Sequence, residues 1–147
     1  MKNFTEANLL RELVRLLVRN LGILEKDEAT CCGVTISQCH TIIEIGKHKE
    51  ISLNDLATIL NLDKSTISRT VNRLVKEDLA QRIPDENDRR FVKIMLTDKG
   101  KRIFKNIEKN MDDYYQRIFQ SIPDDKKDQV IESLNILINS VKQNKCC

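Results

Sequence analysis

Leu9, Leu13, Leu16, Leu17 and Leu21 recur at helical spacing through ELVRLLVRN, the stripe of a first amphipathic helix that should end near Gly22. In Thr35-Ile-Ser-Gln38 a hydroxyl residue is followed three positions later by an amide, which suits a capping box opening a second helix to about Gly46. Ser52-Leu-Asn-Asp55 caps a short third helix with Leu53, Leu56, Ala57 and Leu60 on one face. Asn61-Leu62-Asp63 turns the chain, and Asp63 should cap a fourth helix reaching about Glu77. The period then changes: Ala80 to Ile83 and Phe91 to Leu96 are short β-leaning runs joined by the charged loop Pro84-Asp-Glu-Asn-Asp-Arg-Arg90. Thr97 starts a long fifth helix carrying Ile103, Phe104, Ile107, Met111, Tyr115 and Ile118; Pro123 interrupts it, and Val130, Leu134, Leu137, Ile138 and Val141 mark a sixth.

Two short helices joined by a tight turn and followed by a β-hairpin are the parts of a winged helix-turn-helix, so the expected fold is mainly α with a small β-hairpin wing. At about 100° per residue, Ile67, Val71, Leu74 and Val75 of the fourth helix share one apolar face. Ser65, Ser68, Arg69, Asn72 and Lys76 lie opposite, with Thr66 and Arg73 beside them. Such side chains suit base edges and phosphates, since arginine pairs bidentately with guanine, asparagine with adenine, and hydroxyls with either. An ordinary solvated face would mix Glu with Lys at i,i+4, yet no acid occurs from Lys64 to Lys76. The hairpin adds Asp88, Arg89 and Arg90, where an arginine can enter a narrow minor groove while the acid two residues away holds its guanidinium in a fork. A plain surface ion pair is the alternative there.

Charge strengthens this picture. From Lys64 to Lys105 there are twelve Lys and Arg against six Asp and Glu, whereas the rest of the chain carries thirteen against sixteen. A basic segment on an otherwise slightly acidic chain suits a polyanion partner. The 147 residues suffice for a single domain, and no linker, repeat or low-complexity tract divides them. No signal peptide or membrane span is evident, so a soluble cytoplasmic protein is expected. Nothing suggests catalysis: Gly-rich phosphate loops and HExxH are lacking, and lone Ser and Asp residues fit caps and turns.

The run LNDLATILNLDKSTISRTVNRLVKEDLAQR, followed by DENDRR, FVKIMLTDKG and a helical C-terminal third, resembles the multiple-antibiotic-resistance regulator (MarR) family of transcription factors over nearly the whole chain. The resemblance implies a homodimer in which residues of about 1–30 and 98–147 build a helical dimerisation platform. Two winged helix-turn-helix parts, about 35–97, would read a pseudo-palindromic operator in double-stranded DNA, most often as a repressor released by an effector. It places recognition-helix contacts at Ser65, Thr66, Ser68, Arg69 and Arg73, and a wing pair at Asp88 and Arg90. Independently, the apolar stripes of the first and last helices exceed what a small winged domain covers.

The stretch CCGVTISQCH sets Cys31, Cys32, Cys39 and His40 within ten residues, and the chain ends in Cys146 and Cys147. Reduced thiols in an odd number argue against a closed disulfide set. Plain packing competes with an effector site for a thiophilic metal, a metalloid or an oxidant, with no cofactor required otherwise. His40 lies about 100° around the helix from Cys39, which makes it the weaker ligand. Two other classes remain open: an effector-independent architectural DNA binder, and a thiol-dependent metal-binding or redox protein whose helix-turn-helix is incidental.

Overall fold

The computed structural model describes residues 2–21 and 34–145. In chain order these form α1 (Lys2–Asn20), α2 (Ile36–His48), β1 (Ile51–Ser52), α3 (Leu53–Leu60), α4 (Lys64–Lys76), β2 (Ala80–Pro84), β3 (Val92–Leu96), α5 (Asp98–Ser121), a single 3-10 turn (Asp124–Lys126) and α6 (Lys127–Gln143). Sequence spacing locates every helix; it misses β1, whose two residues are too short to show a period. β1 pairs antiparallel with β3, Ile51 opposite Ile94, so the wing is a three-stranded sheet in the order β1-β3-β2 rather than a bare hairpin. None of the described helices is long and apolar enough to cross a membrane.

The chain forms two compact units that meet in sequence at Ile107 and Glu108. In the first, α2, α3, α4 and the sheet enclose a core of Ile42, Ile45, Leu56, Ile67, Val71, Leu74 and Ile94, with Ile107 of α5 closing it. The capping box forms as its sequence implies: the Gln38 N–H donates to Thr35 Oγ1 (3.2 Å) and the Thr35 N–H to Gln38 Oε1 (3.0 Å). The buried Gln38 side chain then donates from Nε2 to Glu77 Oε2 at 3.0 Å, tying the start of α2 to the end of α4. The second unit consists of the rest of α5, the 3-10 turn and α6, in which Lys127 Nζ lies 5.5 Å from the centre of the Phe119 ring.

The turn after α4 sets where the wing stands. Asp78 takes the left-handed conformation, φ 63°, its N–H donating to the Val75 carbonyl (3.1 Å) and the Leu79 N–H to that of Leu74 (2.8 Å). This is a Schellman closure with Asp where Gly is usual. Thr97 clamps the same turn: its hydroxyl donates to the Asp78 carbonyl (2.6 Å), its N–H donates to that of Leu79 (3.1 Å), and its Oγ1 accepts from the Gly100 N–H (3.0 Å). A Cβ on Gly100 would lie 2.0 Å from the Leu79 carbonyl oxygen. Gly100→Ala should therefore force α5 away from the turn and destabilise the protein by about 1–3 kcal/mol or more, read as a lower midpoint in urea unfolding. An unchanged midpoint would show that the packing gives way without cost.

Candidate nucleic-acid interface

Because Ile67, Val71 and Leu74 are buried completely, the opposite side of α4 has to face outward. Ser65, Arg69, Asn72, Arg73 and Lys76 are exposed, and Thr66 and Ser68 half-buried. Asp63 holds the N-cap position with extended backbone, but its carboxylate bonds no backbone N–H of the helix. It accepts instead from the Ser65 and Thr66 hydroxyls, contacts that draw its pKa below the ordinary 3.8, Ser65 contributing most. Asp63 thus holds the N-cap place that its sequence implies, with its carboxylate engaged mainly by the two hydroxyls. Both hydroxyl protons are committed inward, so the oxygens serve outward as acceptors, and the Thr66 oxygen already receives Arg69 Nη2 at 3.4 Å. Asn72 is exposed as its sequence reading requires, and its Oδ1 accepts from Arg82 of β2.

Beside this face, Thr35, Ser37 and Gln38 at the start of α2 join Thr66, Arg69, Thr70 and Arg73 around an open cleft of about 230 Å³. The two arginines give that cleft a basic lining. Sequence reading passed over Ser37, which looked like a mere member of a cap, and Arg82, which looked like a strand residue.

At the wing, the Asp85 N–H donates to the Phe91 carbonyl (3.0 Å) and the Asn87 N–H to Asp85 Oδ1 (2.8 Å), closing the loop. Arg90 reaches Asp88 as a fork, Nε to Oδ1 at 3.0 Å and Nη2 to Oδ2 at 2.8 Å, while its own N–H donates to Oδ1 at 3.1 Å. The Arg90 side chain is 85% exposed, so the pair orients a cation that still faces solvent. The fork lowers the Asp88 pKa from 3.8, the Arg90 side chain being the largest cause, and raises that of Arg90. Arg89 is exposed in this loop.

The cysteine stretch is only partly in view. Cys31, Cys32, Cys146 and Cys147 lie outside the described residues. Cys39 is 7% exposed within the core of the first unit, and His40, the next residue, is exposed. Among the described residues no three His, Cys, Asp or Glu side chains are grouped to hold a metal ion.

An outward basic and hydroxyl-bearing helix, held by its apolar face and flanked by an arginine-tipped wing, defines the winged helix-turn-helix class. Over residues 33–90 the chain matches the sequence model of the MarR family. Its relatives include the HTH-type transcriptional regulator BilQ of Clostridioides difficile, 27% identical over 96 residues that make up 65% of each chain. In fold it resembles Streptococcus pneumoniae FabT, crystallised in complex with DNA, with a TM-score of 0.84 at 20% identity over 95% of this chain and 99% of that one. A MarR transcriptional regulator from Methanosarcina mazei is 28% identical with a TM-score of 0.65, covering 76% of this chain and 81% of its own.

The wing fork carries a direct test. Since the folded pKa of Asp88 lies below its ordinary value, the pairing is complete above pH 3.8 and is lost as pH falls through the depressed value. In a carboxyl carbon NMR titration the Asp88 midpoint should lie below 3.8 and move up toward it in Arg90→Ala, which removes the larger cause and leaves the backbone bond. Equal midpoints in the two proteins would mean the fork does not persist in solution.

Proposed function

We propose that this chain is a transcriptional regulator that binds duplex DNA sequence-specifically as a homodimer, in the cytoplasm, with α4 in the major groove and the wing on the adjacent minor groove. The observation that carries the reading is the acid-free outward face of α4, where Arg69, Arg73 and Lys76 stand together with hydroxyl and amide groups beside a basic cleft. FabT, similar in fold over nearly the whole chain, was crystallised on DNA, which supports the same use of the surface here.

Dimerisation is supported by apolar side chains left in solvent. Leu9, Leu13 and Leu17 of α1 are each 46% exposed or more, and Leu134, Ile138 and Val141 of α6 each 40% or more. Rows of this kind on neighbouring turns are rarely left uncovered in a monomer, and a second copy is the partner that supplies a self-complementary surface.

The regulatory part of the proposal is repression relieved by a soft metal ion, a metalloid or an oxidant acting through the cysteines, with Cys31 and Cys32 as first contacts and Cys39 as the link inward. Cys39 follows Gln38 directly, and Gln38 is bonded to Glu77 at the end of the recognition helix. Chemistry that opened the packing at Cys39 would therefore pull on α4. A tenfold loss of operator affinity needs only about 1.4 kcal/mol of preference for the unbound arrangement.

In a gel-shift titration on the DNA upstream of its own gene, Arg69→Ala or Arg73→Ala should cost about 1–3 kcal/mol and reduce discrimination between sequences. Half-sites should lie about one helical turn apart or a multiple of it. Binding that responds to salt but not to sequence would refute the proposal. Leu13→Asp combined with Leu17→Asp should halve the mass seen by light scattering; an unchanged mass would place the dimer contact elsewhere. Arsenite, Cd²⁺ and peroxide should release DNA from the wild type but not from Cys31→Ser, Cys32→Ser or Cys39→Ser, and equal behaviour of all four proteins would reduce the cysteines to packing residues.

A further inference from the structure

Antiparallel pairing of β1 with β3 stops after two residues, Ile51 opposite Ile94 and Ser52 opposite Lys93. Continued in the same register, it would set Glu50 opposite Met95 and Lys49 opposite Leu96. The backbone at Lys49 prevents this. Its φ is 65° and its ψ −57°, and the Glu50 N–H donates to the His48 carbonyl at 2.7 Å. These are the angles and the bond of a γ-turn in its strained form, which a residue other than glycine rarely adopts. The four residues that would have paired line an open cavity of about 540 Å³ instead. Ile45, Gly46 and Phe104 complete its apolar wall. The half-buried Phe104 ring lies against the backbone of α2, since a Cβ on Gly46 would come within 2.5 Å of its Cδ2. Lys101 and Lys105, one turn apart on α5, join Lys49 at the mouth. All three lysines are exposed, and no carboxylate among the described residues pairs with any of them.

We propose that this cavity binds a small organic carboxylate with an apolar body. Its size suits a small-molecule site, and such sites combine apolar walls with a few charged groups that fix the ligand's orientation. Three ammonium groups against the one carboxylate of Glu50 leave two positive charges around the mouth, enough for a single anionic head. Lys101 and Lys105 repel each other at i,i+4, so an anion between them removes a standing cost. Strained backbone clusters at ligand sites, and here the strain at Lys49 is what keeps the cavity from closing into a longer ladder. The cavity lies within the first unit and shares no residue with the outward face of α4 or the wing loop, so the proposal stands apart from the DNA reading.

The test uses the whole protein without DNA. Decanoate and 2-naphthoate serve as carboxylates, decanol and decyltrimethylammonium as neutral and cationic counterparts, all below micelle-forming concentrations. Methyl-labelled methionine gives the readout in NMR, because Met95 lines the cavity whereas Met111 lies outside it on α5. At least one carboxylate should move the Met95 methyl signal saturably and bind about tenfold more tightly than decanol, and the cation should leave the signal in place. Lys101→Ala combined with Lys105→Ala should weaken carboxylate binding about tenfold or more with the urea midpoint unchanged, whereas the paired arginine variant should retain binding. A Met95 signal unmoved by both carboxylates would overturn the proposal, as would a response at Met111 with none at Met95, which would put the ligand on another apolar surface. Equal affinity for acid and alcohol, or carboxylate binding indifferent to the two lysines, would overturn it as well.

Discussion

The burial of Ile67, Val71 and Leu74 against α2, α3 and the sheet is the constraint on which the rest of the molecule depends. Each of these side chains is removed from water completely, a gain of roughly 1.5–3 kcal/mol apiece. Rotating α4 by even one residue would expose part of that set and bury a serine or an arginine in its place, which costs still more. The rotation of the helix is therefore held firmly, and its polar face is aimed outward as a consequence. Two further ties fix α4 lengthwise: Gln38 holds Glu77 at its end, and the Asp78 turn, clamped by Thr97, passes its position on to β2.

A rigidly aimed face is useful for recognition only if its hydrogen-bonding groups are also organised, and here several are bonded to one another before any ligand arrives. Asp63 takes the protons of Ser65 and Thr66, Arg82 donates to the oxygen of Asn72, and Asp88 holds Arg90 as a fork. Such links cost little in the unbound protein because the groups are exposed and remain hydrated. Their effect is on binding: fewer rotamers have to be frozen. This role accounts for the acids Asp63 and Asp88 on an otherwise basic surface.

Cys39 shows how the same packing could connect a remote event to the interface. It belongs to the core beneath α2, adjacent to the glutamine that holds α4. The core is close-packed, so a change there moves whole elements rather than single side chains.

Much of this was legible along the chain. The helix boundaries, the capping box at Thr35, the outward set on α4 and the Asp88–Arg90 pair follow from period and local spacing, because they involve residues within a turn or two of each other. β1 was not legible, since two residues carry no period and its pairing with β3 spans some forty positions. Nor were the main partners of the Asp63 carboxylate, which are hydroxyls. The sequence by itself determined which residues of α4 face outward and that they are cationic, hydroxylic and amidic, because the apolar period alone decides which side is buried. Only the tertiary structure decided which of those groups are already bonded, because Arg82 reaches Asn72 across a turn whose geometry depends on Thr97 and Gly100, far along the chain.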